Sequence, residues 1–240
     1  MKFTNIILSL MSLALLNSCS SLLPFDETEK NVSEAVEEPL TPLQTKVNTL
    51  QTLPNLYQTQ TRKDKASAQT LHQFQGALLL KQQGKLSLAR ERFIALSEQH
   101  PNLSGVWLQL ALLAKQQDND DMQQLQKEMT RYLNNAISAN PLNYLAHNEF
   151  ALVLRQQGQF QQALNHYELA IKSWPAFAEG YLNRGILYDL YMGRKSLALV
   201  DYELYQALSD DNSRQLKGWI IDLKRQIKSG QQVTQAGAIL

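Results

Sequence analysis

The 240-residue chain contains a single cysteine, Cys19, and this scarcity excludes two kinds of protein. One thiol cannot form a disulfide within the chain, and it cannot form the paired thiols of a redox motif. The charges are also nearly balanced, because 23 Lys and Arg residues face 22 Asp and Glu residues. Without a basic excess to attract a polyanion, nucleic acid is not an expected partner.

Residues that carry catalysis or bind metals are few and scattered. Asp118, Asp120 and Asp121 resemble the start of a calcium loop, but Gln123 and Met129 stand where that loop needs Gly and Glu. No histidine has a second histidine four residues away with an acidic neighbour, as a zinc-binding helix would require. The four histidines are His72, His100, His147 and His166. With no phosphate loop and no nucleophile motif, the sequence predicts no enzyme and no cofactor or metal site.

The apolar run at the N terminus, Phe3 to Leu16, is too short to cross a bilayer comfortably. It has the form of the hydrophobic region of a signal peptide. The Leu-Asn-Ser-Cys sequence that ends at Cys19 resembles the lipobox of bacterial lipoproteins. That resemblance implies a signal peptide over residues 1–18, a lipid such as palmitate on Cys19 and, because Ser20 follows, the periplasmic face of the outer membrane. A secreted protein with an incidental free cysteine is the alternative.

The next segment predicts a mostly disordered tether over residues 19–66. Its first half is acidic, with Lys30 as the only base among six Asp and Glu residues, and four prolines punctuate the segment. Leu43, Val47 and Leu50 nevertheless have helical spacing before Pro54, which predicts one short helix there.

What the sequence does contain is a repeated frame. Residues 79–93, LLKQQGKLSLARERF, return as residues 153–167, VLRQQGQFQQALNHY. Four residues in or just after the first copy have counterparts 74 positions later. A further proline divides the 74 residues between Pro101 and Pro175 into 40 and 34. The pairs are Gly84 and Gly158, Ala89 and Ala163, Phe93 and Tyr167, and Pro101 and Pro175, with Pro141 between the last two.

A third copy of the frame, at Gly193, Ala198 and Tyr202, follows the second by 35 residues. Ala151 and Gly185 are 34 apart, so one residue has been inserted after Gly185. A period of 34 with small residues at fixed places is typical of the tetratricopeptide repeat (TPR) family, which the chain resembles over residues 70–212.

The resemblance implies an all-α solenoid of about four helix pairs. The repeats are expected at 70–103, 104–143, 144–177 and 178–212, followed by a capping helix at 213–229 with Ser213 as its N-cap and a disordered tail at 230–240. The whole solenoid would span residues 67–229. The second repeat lacks the turn glycine and has six extra residues, which predicts a longer second helix. His147 occupies the place of a packed aromatic residue, so we expect it in or beside the core.

In the TPR family the first helix of each pair lines a groove. Counting within the frame places eight residues inward, with three basic residues behind them and Asp189 breaking that series. The eight are Phe74, Leu78, Leu108, Leu112, Asn148, Leu152, Leu182 and Ile186, and the basic residues are Lys81, Lys115 and Arg155. Relatives that clamp a peptide carboxylate have Lys and Asn where Phe74 and Leu78 stand, so the pattern favours an amphipathic helix or an extended apolar peptide. Packing between repeats is the alternative role of the apolar residues.

Two non-enzymatic functions are compatible with these features. One is an envelope adaptor that binds other proteins, similar to lipoproteins of the NlpI type, which organise peptidoglycan hydrolases and a protease. The other is an assembly factor of the TPR pilotin kind, which brings a pilus or secretion subunit to the outer membrane. We also expect the Leu43 to Tyr57 stretch to fold back over the first two repeats and a partner to cover the last two.

Overall fold

Helices dominate the computed structural model, which describes residues 39–63, 66–116 and 121–237. The predicted signal peptide, Cys19 and the acidic half of the predicted tether lie outside these residues, as do Asp118 and Asp120. Within the described ranges there is no β-strand. None of the described helices has both the length and the apolar character needed to cross a membrane.

The described chain from Leu40 onward forms one unit, in which two helices precede a solenoid of helix pairs. The leading helices are α1 (Pro42–Thr52) and α2 (Leu56–Lys63). The four pairs are α3 (Ala68–Gln82) with α4 (Leu86–Gln99), α5 (Ser104–Gln116) with α6 (Met122–Ala139), α7 (Tyr144–Gln156) with α8 (Phe160–Ser173), and α9 (Ala178–Ile186) with α10 (Lys195–Ser209). A last helix, α11 (Arg214–Gly237), packs on α10. The predicted all-α solenoid of four helix pairs with a capping helix is confirmed, but the end of the predicted disordered tether is helical and has two helices, α1 and α2, where one short helix was predicted.

Glycines close the first helix of a pair where the sequence frame placed them. Gly84 and Gly158 have φ of 73° and 75°, a conformation that costs a residue with a side chain about 1 kcal/mol or more. The backbone N–H of the next residue, Lys85 or Gln159, then donates to a carbonyl five residues back, at 2.9 Å in both repeats. These bonds satisfy carbonyl groups that the end of a helix leaves unpaired.

The small residues of the frame lie where two helices meet. Ala89, Ala163 and Ala198 are 0 % exposed, as the frame predicted. The aromatic residues four positions later, Phe93, Tyr167 and Tyr202, are also buried and fill the space that the alanines leave. The main core therefore runs as one continuous cluster from α3 to α11, which is how a solenoid buries apolar surface that no single repeat could cover.

The residue inserted into the fourth repeat is absorbed by a change of helix type. α9 passes directly into a π-helical turn over Leu187–Tyr191, in which the Met192 N–H donates to the Leu187 carbonyl at 3.1 Å. Each such turn adds one residue to the helix without altering the elements on either side. Ala198 and Tyr202 consequently keep the positions of Ala163 and Tyr167 in the core despite the insertion.

A side chain near the start of the next first helix ties down each proline turn. The Trp107 indole donates to the Pro101 carbonyl at 2.7 Å, and the Tyr181 hydroxyl donates to the Pro175 carbonyl at 3.0 Å. His147 makes the equivalent contact through Nε2 to Pro141, at 2.9 Å. His147 is 3 % exposed, so it is the core residue that its place in the frame predicted.

The long second helix of the second repeat and the N-cap of the C-terminal helix agree with the sequence predictions. α6 has 18 residues where α4 and α8 each have 14, and the Asp121 side chain caps it by accepting the Gln124 N–H at 3.0 Å. Ser213 accepts the Leu216 N–H at 3.3 Å at the start of α11. α11 continues to Gly237, beyond the predicted end at residue 229, and Leu216, Ile220 and Leu223 are its buried contacts with the core.

Candidate protein-binding surface

The eight inward positions predicted from the frame all lie on the first helices of their pairs. We call this set the groove row: Phe74, Leu78, Leu108, Leu112, Asn148, Leu152, Leu182 and Ile186. Leu108 and Asn148 are buried, at 4 % and 6 % exposed, and the other six are half-buried. The row is therefore only partly available to a partner.

Much of the apolar surface in the groove row packs within the chain. Phe74, Leu112 and Ile186 belong to the half-buried side chains that pack against the main core, and the Phe74 ring meets Phe93 edge to face at 5.5 Å. Leu152 is half-buried but is not among the side chains packed against that core. The row therefore contributes both to the packing between repeats and to the accessible surface of the solenoid. Its role in binding a partner stays a prediction.

The basic margin bridges successive repeats. Lys81 Nζ donates to Gln109 Oε1 at 2.9 Å, and Lys115 Nζ lies 3.2 Å from Glu149 Oε2. Arg155 continues the series with a long contact of 3.5 Å to the backbone carbonyl of the next repeat, at Asn183. These bridges join equivalent positions of successive repeats.

Sequence reasoning missed these bridges, although a signal for them was present. The acceptors Gln109, Glu149 and Asn183 are separated by 40 and 34 residues, the same intervals that separate the three turn prolines. Burial lowers the pKa of Lys81, which is consistent with an ammonium group held against the neighbouring helix rather than in open solvent.

Polar contacts lie beside the groove row in the third and fourth repeats. Asn183 Nδ2 donates to Asn148 Oδ1 at 3.0 Å, and the Tyr202 hydroxyl donates to Asp189 Oδ2 at 3.4 Å. Asp189 belongs to the π-helical turn, so the inserted residue helps to bring this carboxylate to Tyr202. In the same region, burial raises the pKa of Tyr167, whose buried hydroxyl has no hydrogen-bond partner among the described residues.

Two of the four scattered histidines meet in the third repeat. His147 Nδ1 and His166 Nδ1 are 2.9 Å apart, and the His166 ring also packs against Phe150. Nε2 of His147 donates to the Pro141 carbonyl, so in the neutral His147 ring Nδ1 is the acceptor and His166 Nδ1 is the donor. Burial, together with the neighbouring His147, lowers the pKa of His166 to about 4. His72 does not join them, and no group of three metal-ligating side chains occurs among the described residues.

A second surface on the solenoid was not predicted, and it holds the segment that precedes the repeats. We call residues 41–60 the strap. Thr41 and Gln44 cap α1 reciprocally and Pro42 occupies its first turn, a start signal that the sequence contained. Val47 is buried against Tyr181 of α9 and Leu204 of α10. α1 therefore lies on the fourth repeat, and the expectation that this stretch covers the first two repeats is wrong for α1.

The second attachment of the strap is Tyr57, which reaches residues of the first three repeats. Its hydroxyl hydrogen-bonds with Ser104 and lies 3.5 Å from Asn143 Nδ2, and its ring meets Tyr144 edge to face at 6.1 Å. Gly105, next to Ser104, lies near both the Tyr57 hydroxyl and the Phe74 ring, since a Cβ there would be 3.7 Å from the hydroxyl and 3.8 Å from the ring. We call the surface around Tyr57 the seat: Phe74, Ser104, Asn143, Tyr144, Trp174 and Phe177.

Comparison with known proteins agrees with this architecture. Residues 151–189, from the middle of α7 to the π-helical turn, match the TPR repeat family model. No curated protein matches the chain by sequence.

Solved TPR structures resemble the chain at low sequence identity. PilF of Pseudomonas aeruginosa superposes with a TM-score of 0.56 at 17 % identity, over 67 % of this chain and 69 % of that one. A tetratricopeptide repeat protein from Parabacteroides merdae gives 0.53 at 17 % identity, over 68 % and 62 %. The protein MamA gives 0.51 at 17 % identity, over 66 % and 88 %. At this identity the likeness extends to the fold alone, which is that of a TPR solenoid.

Proposed function

We propose that this protein is an adaptor of the bacterial cell envelope that binds other proteins through the groove row. A TPR solenoid is a platform for protein–protein interaction, and its function depends on the side chains that its surface presents. The observation that carries the proposal is the groove row itself, in which six half-buried positions line up over four repeats and stay adjacent through the inter-repeat bridges.

The expected ligand is the apolar face of a helix or an extended apolar segment of another envelope protein. Phe74, Leu78 and Leu112 offer apolar surface in the first two repeats, while Asn148 and Asn183 add amide groups in the last two. The cations of the margin contribute little net attraction because Glu149 pairs with Lys115. Specificity would then come from shape and from the amides rather than from charge.

The proposed location is the periplasmic face of the outer membrane, with a lipid on Cys19 as the anchor. The support is the sequence alone: the apolar run Phe3 to Leu16, the lipobox-like residues that end at Cys19, and Ser20 after them. Replacing Cys19 with Ala should move the protein from the membrane fraction to the soluble periplasm. A variant that remains with the membrane although its signal peptide is cleaved would exclude the lipid anchor.

Site-specific photocrosslinking in living cells tests the adaptor function. A photoreactive amino acid at Leu152, the groove position outside the main core, should crosslink to a defined partner. The matched control is Leu169 on α8, which is 41 % exposed and lies outside the groove row. Equal crosslinking from both positions would contradict a groove partner. The identity of the captured protein separates an adaptor for cell-wall enzymes from an assembly factor for a pilus or secretion complex.

A further inference from the structure

The seat is built by the solenoid independently of the strap. Ser104 Oγ donates to the Ala136 carbonyl at 2.7 Å and accepts from Asn143 Nδ2, also at 2.7 Å. The Asn143 carbonyl oxygen in turn accepts the Ala146 N–H at 3.0 Å. Because these bonds join the second and third repeats without any strap residue, the polar floor of the seat would persist if Tyr57 left it.

The aromatic wall of the seat is likewise fixed from within the solenoid. The Tyr144 ring meets Trp174 at 5.0 Å and Phe177 at 4.8 Å, both near edge to face. Tyr144 and Phe177 are 8 % and 3 % exposed with the strap in place. Departure of the strap would uncover part of this wall, and an aromatic surface of this kind favours an amphipathic aromatic side chain as its cover.

The strap, by contrast, is held at few points. Val47 is the one buried side chain on α1, with Leu43 and Leu50 half-buried beside it. Leu53 and Leu56, which precede Tyr57, are 42 % and 38 % exposed. A segment with so few buried contacts opens at a lower free energy than the solenoid unfolds.

We propose that the seat is a docking site for a tyrosine-bearing segment of a partner protein, and that the strap is its resident occupant, displaced when the partner binds. The chain's own Tyr57 shows which chemistry fits: an aromatic ring that meets Tyr144 edge to face, with a hydroxyl that reaches Ser104 and Asn143. This inference deepens the adaptor function proposed above by adding a second contact surface, and it rests on that function only for the existence of a partner.

The strap sets the affinity that a partner must exceed. Because it is covalently joined to α3, its effective concentration at the seat is on the order of millimolar, and a free segment with the same contacts competes poorly. A partner therefore succeeds by contacting the groove row as well, or by matching the seat better than Tyr57 does. The seat would then respond selectively to a partner that engages both surfaces.

The test uses a fluorescent peptide with the sequence of residues 40–60 and the purified full chain in two forms. In the strap-open form, Val47→Asp and Tyr57→Ala remove the two apolar attachments, and Asn55→Ala removes the hydrogen bond between Asn55 and the Tyr144 hydroxyl. Its affinity for the peptide, measured by fluorescence anisotropy, should be at least about tenfold higher than that of the natural chain, whose own strap occupies the seat. The matched control form carries Leu53→Ala and Leu56→Ala, which change exposed strap residues and should bind the peptide as the natural chain does.

Peptide and seat variants locate the contact. A peptide with Tyr57→Ala should lose binding, and one with Tyr57→Phe should bind about five- to tenfold more weakly because the hydroxyl contacts are lost. In the strap-open form, Tyr144→Ala should abolish binding while Leu152→Glu in the groove row should leave it unchanged. Binding that depends on Leu152 and not on Tyr144 would assign the peptide to the groove and overturn the seat.

Three further outcomes decide the proposal. Equal affinity of the strap-open and natural forms for the peptide, with helical content preserved, contradicts the proposal. If the strap-open form loses helical content, Tyr57→Ala alone is the milder variant in which the same comparison is made. A strap-dependent dimer in light scattering also overturns it, because the occupant would then be a second copy of the chain. If the peptide binds the seat as expected but Leu152 gives no specific crosslink, the docking site at the seat is supported and the proposal that a partner binds the groove row is wrong.

Discussion

The first two repeats and the last two share one backbone frame but are joined by different contacts. In the first two, Phe93, Val106 and Leu110 are fully buried apolar side chains, and the buried polar residues are all uncharged: Thr70, Ser97, Ser104, Asn140 and Asn143. The Arg90–Glu128 ion pair that joins α4 to α6 is only half-buried, with side chains 23 % and 19 % exposed. The charged groups of this pair therefore stay near the surface.

The last two repeats place polar and charged groups inside the same frame. Arg184 makes two 2.8 Å bonds to the Asp201 carboxylate, whose side chain is only 3 % exposed. The His147–His166 contact and the Asn148–Asn183 bond lie in this half as well. Equivalent helix pairs can therefore bury neutral polar groups or paired charged and imidazole groups. Where charged or imidazole groups are buried, stability becomes sensitive to mutation of one partner and to pH.

The largest expected effect tests the frame that both halves share. Ala163→Arg forces a long cation into a site that is 0 % exposed and should lower the free energy of unfolding by about 5 kcal/mol, by overpacking and by burying an unpaired charge. Urea unfolding followed by circular dichroism measures it. Leu169→Arg on the same helix, at a site 41 % exposed, should change stability by less than about 0.5 kcal/mol. A wild-type midpoint for Ala163→Arg would refute the helix register.

The next effect compares the buried ion pair of the fourth repeat with the exposed ion pair that joins the second repeat to the third. Asp201→Ala leaves the Arg184 guanidinium buried without its partner and should cost about 3–5 kcal/mol. Lys115→Ala breaks the Lys115–Glu149 bridge, in which the Lys side chain is 50 % exposed, and should cost less than about 1 kcal/mol. Thermal unfolding of the two variants measures the difference. Similar losses would mean that burial does not distinguish these pairs.

The pH dependence of stability should reside in the third repeat. The pKa of His166 is lowered to about 4, below its usual value of 6.5, so the unfolded chain takes up the proton first as the pH falls. The contribution is fully present above about pH 6.5 and is lost progressively toward pH 4, by about 2 kcal/mol. Comparing the unfolding free energy of the natural chain and of His166→Leu across this range isolates it. Parallel pH profiles would show that the histidine pair is not responsible.

The smallest expected effects have opposite signs in the first and last repeats. A Cβ on Gly185 would lie 2.8 Å from the Tyr202 ring, so Gly185→Ala should destabilise the protein by about 1–2 kcal/mol. A Cβ on Gly76, within α3, meets nothing within 4 Å, so Gly76→Ala should stabilise by about 0.5–1 kcal/mol through helix propensity. Midpoints that shift in the same direction would contradict the packing described at Gly185.

The features that sequence reasoning predicted correctly are those that recur with the period. Gly84 and Gly158, the buried alanines and the turn prolines could be placed because each copy of the frame supports the others. The inserted residue after Gly185 was visible as a break in that period. The Arg184–Asp201 pair and the meeting of His147 with His166 occur in one repeat only, so no periodic signal marked them.

The candidate surfaces divide in the same way. The groove row could be located by counting, since its positions repeat with the helices. The seat could not, because it joins Tyr57 to residues from three repeats, among them Asn143, which is 86 positions away. The strap sequence contained its own helix start at Thr41 and Gln44, but nothing in it indicated where α1 would pack.

The sequence by itself determined the solenoid, because a 34-residue period of small, aromatic and proline residues specifies local helices, their turns and the contacts between neighbours. Only the tertiary structure decided how much of the groove row remains exposed, where the strap lies, and which polar groups meet inside the last two repeats. Those outcomes depend on contacts between residues far apart in the chain, whose distances follow from the summed geometry of all the repeats rather than from any one of them.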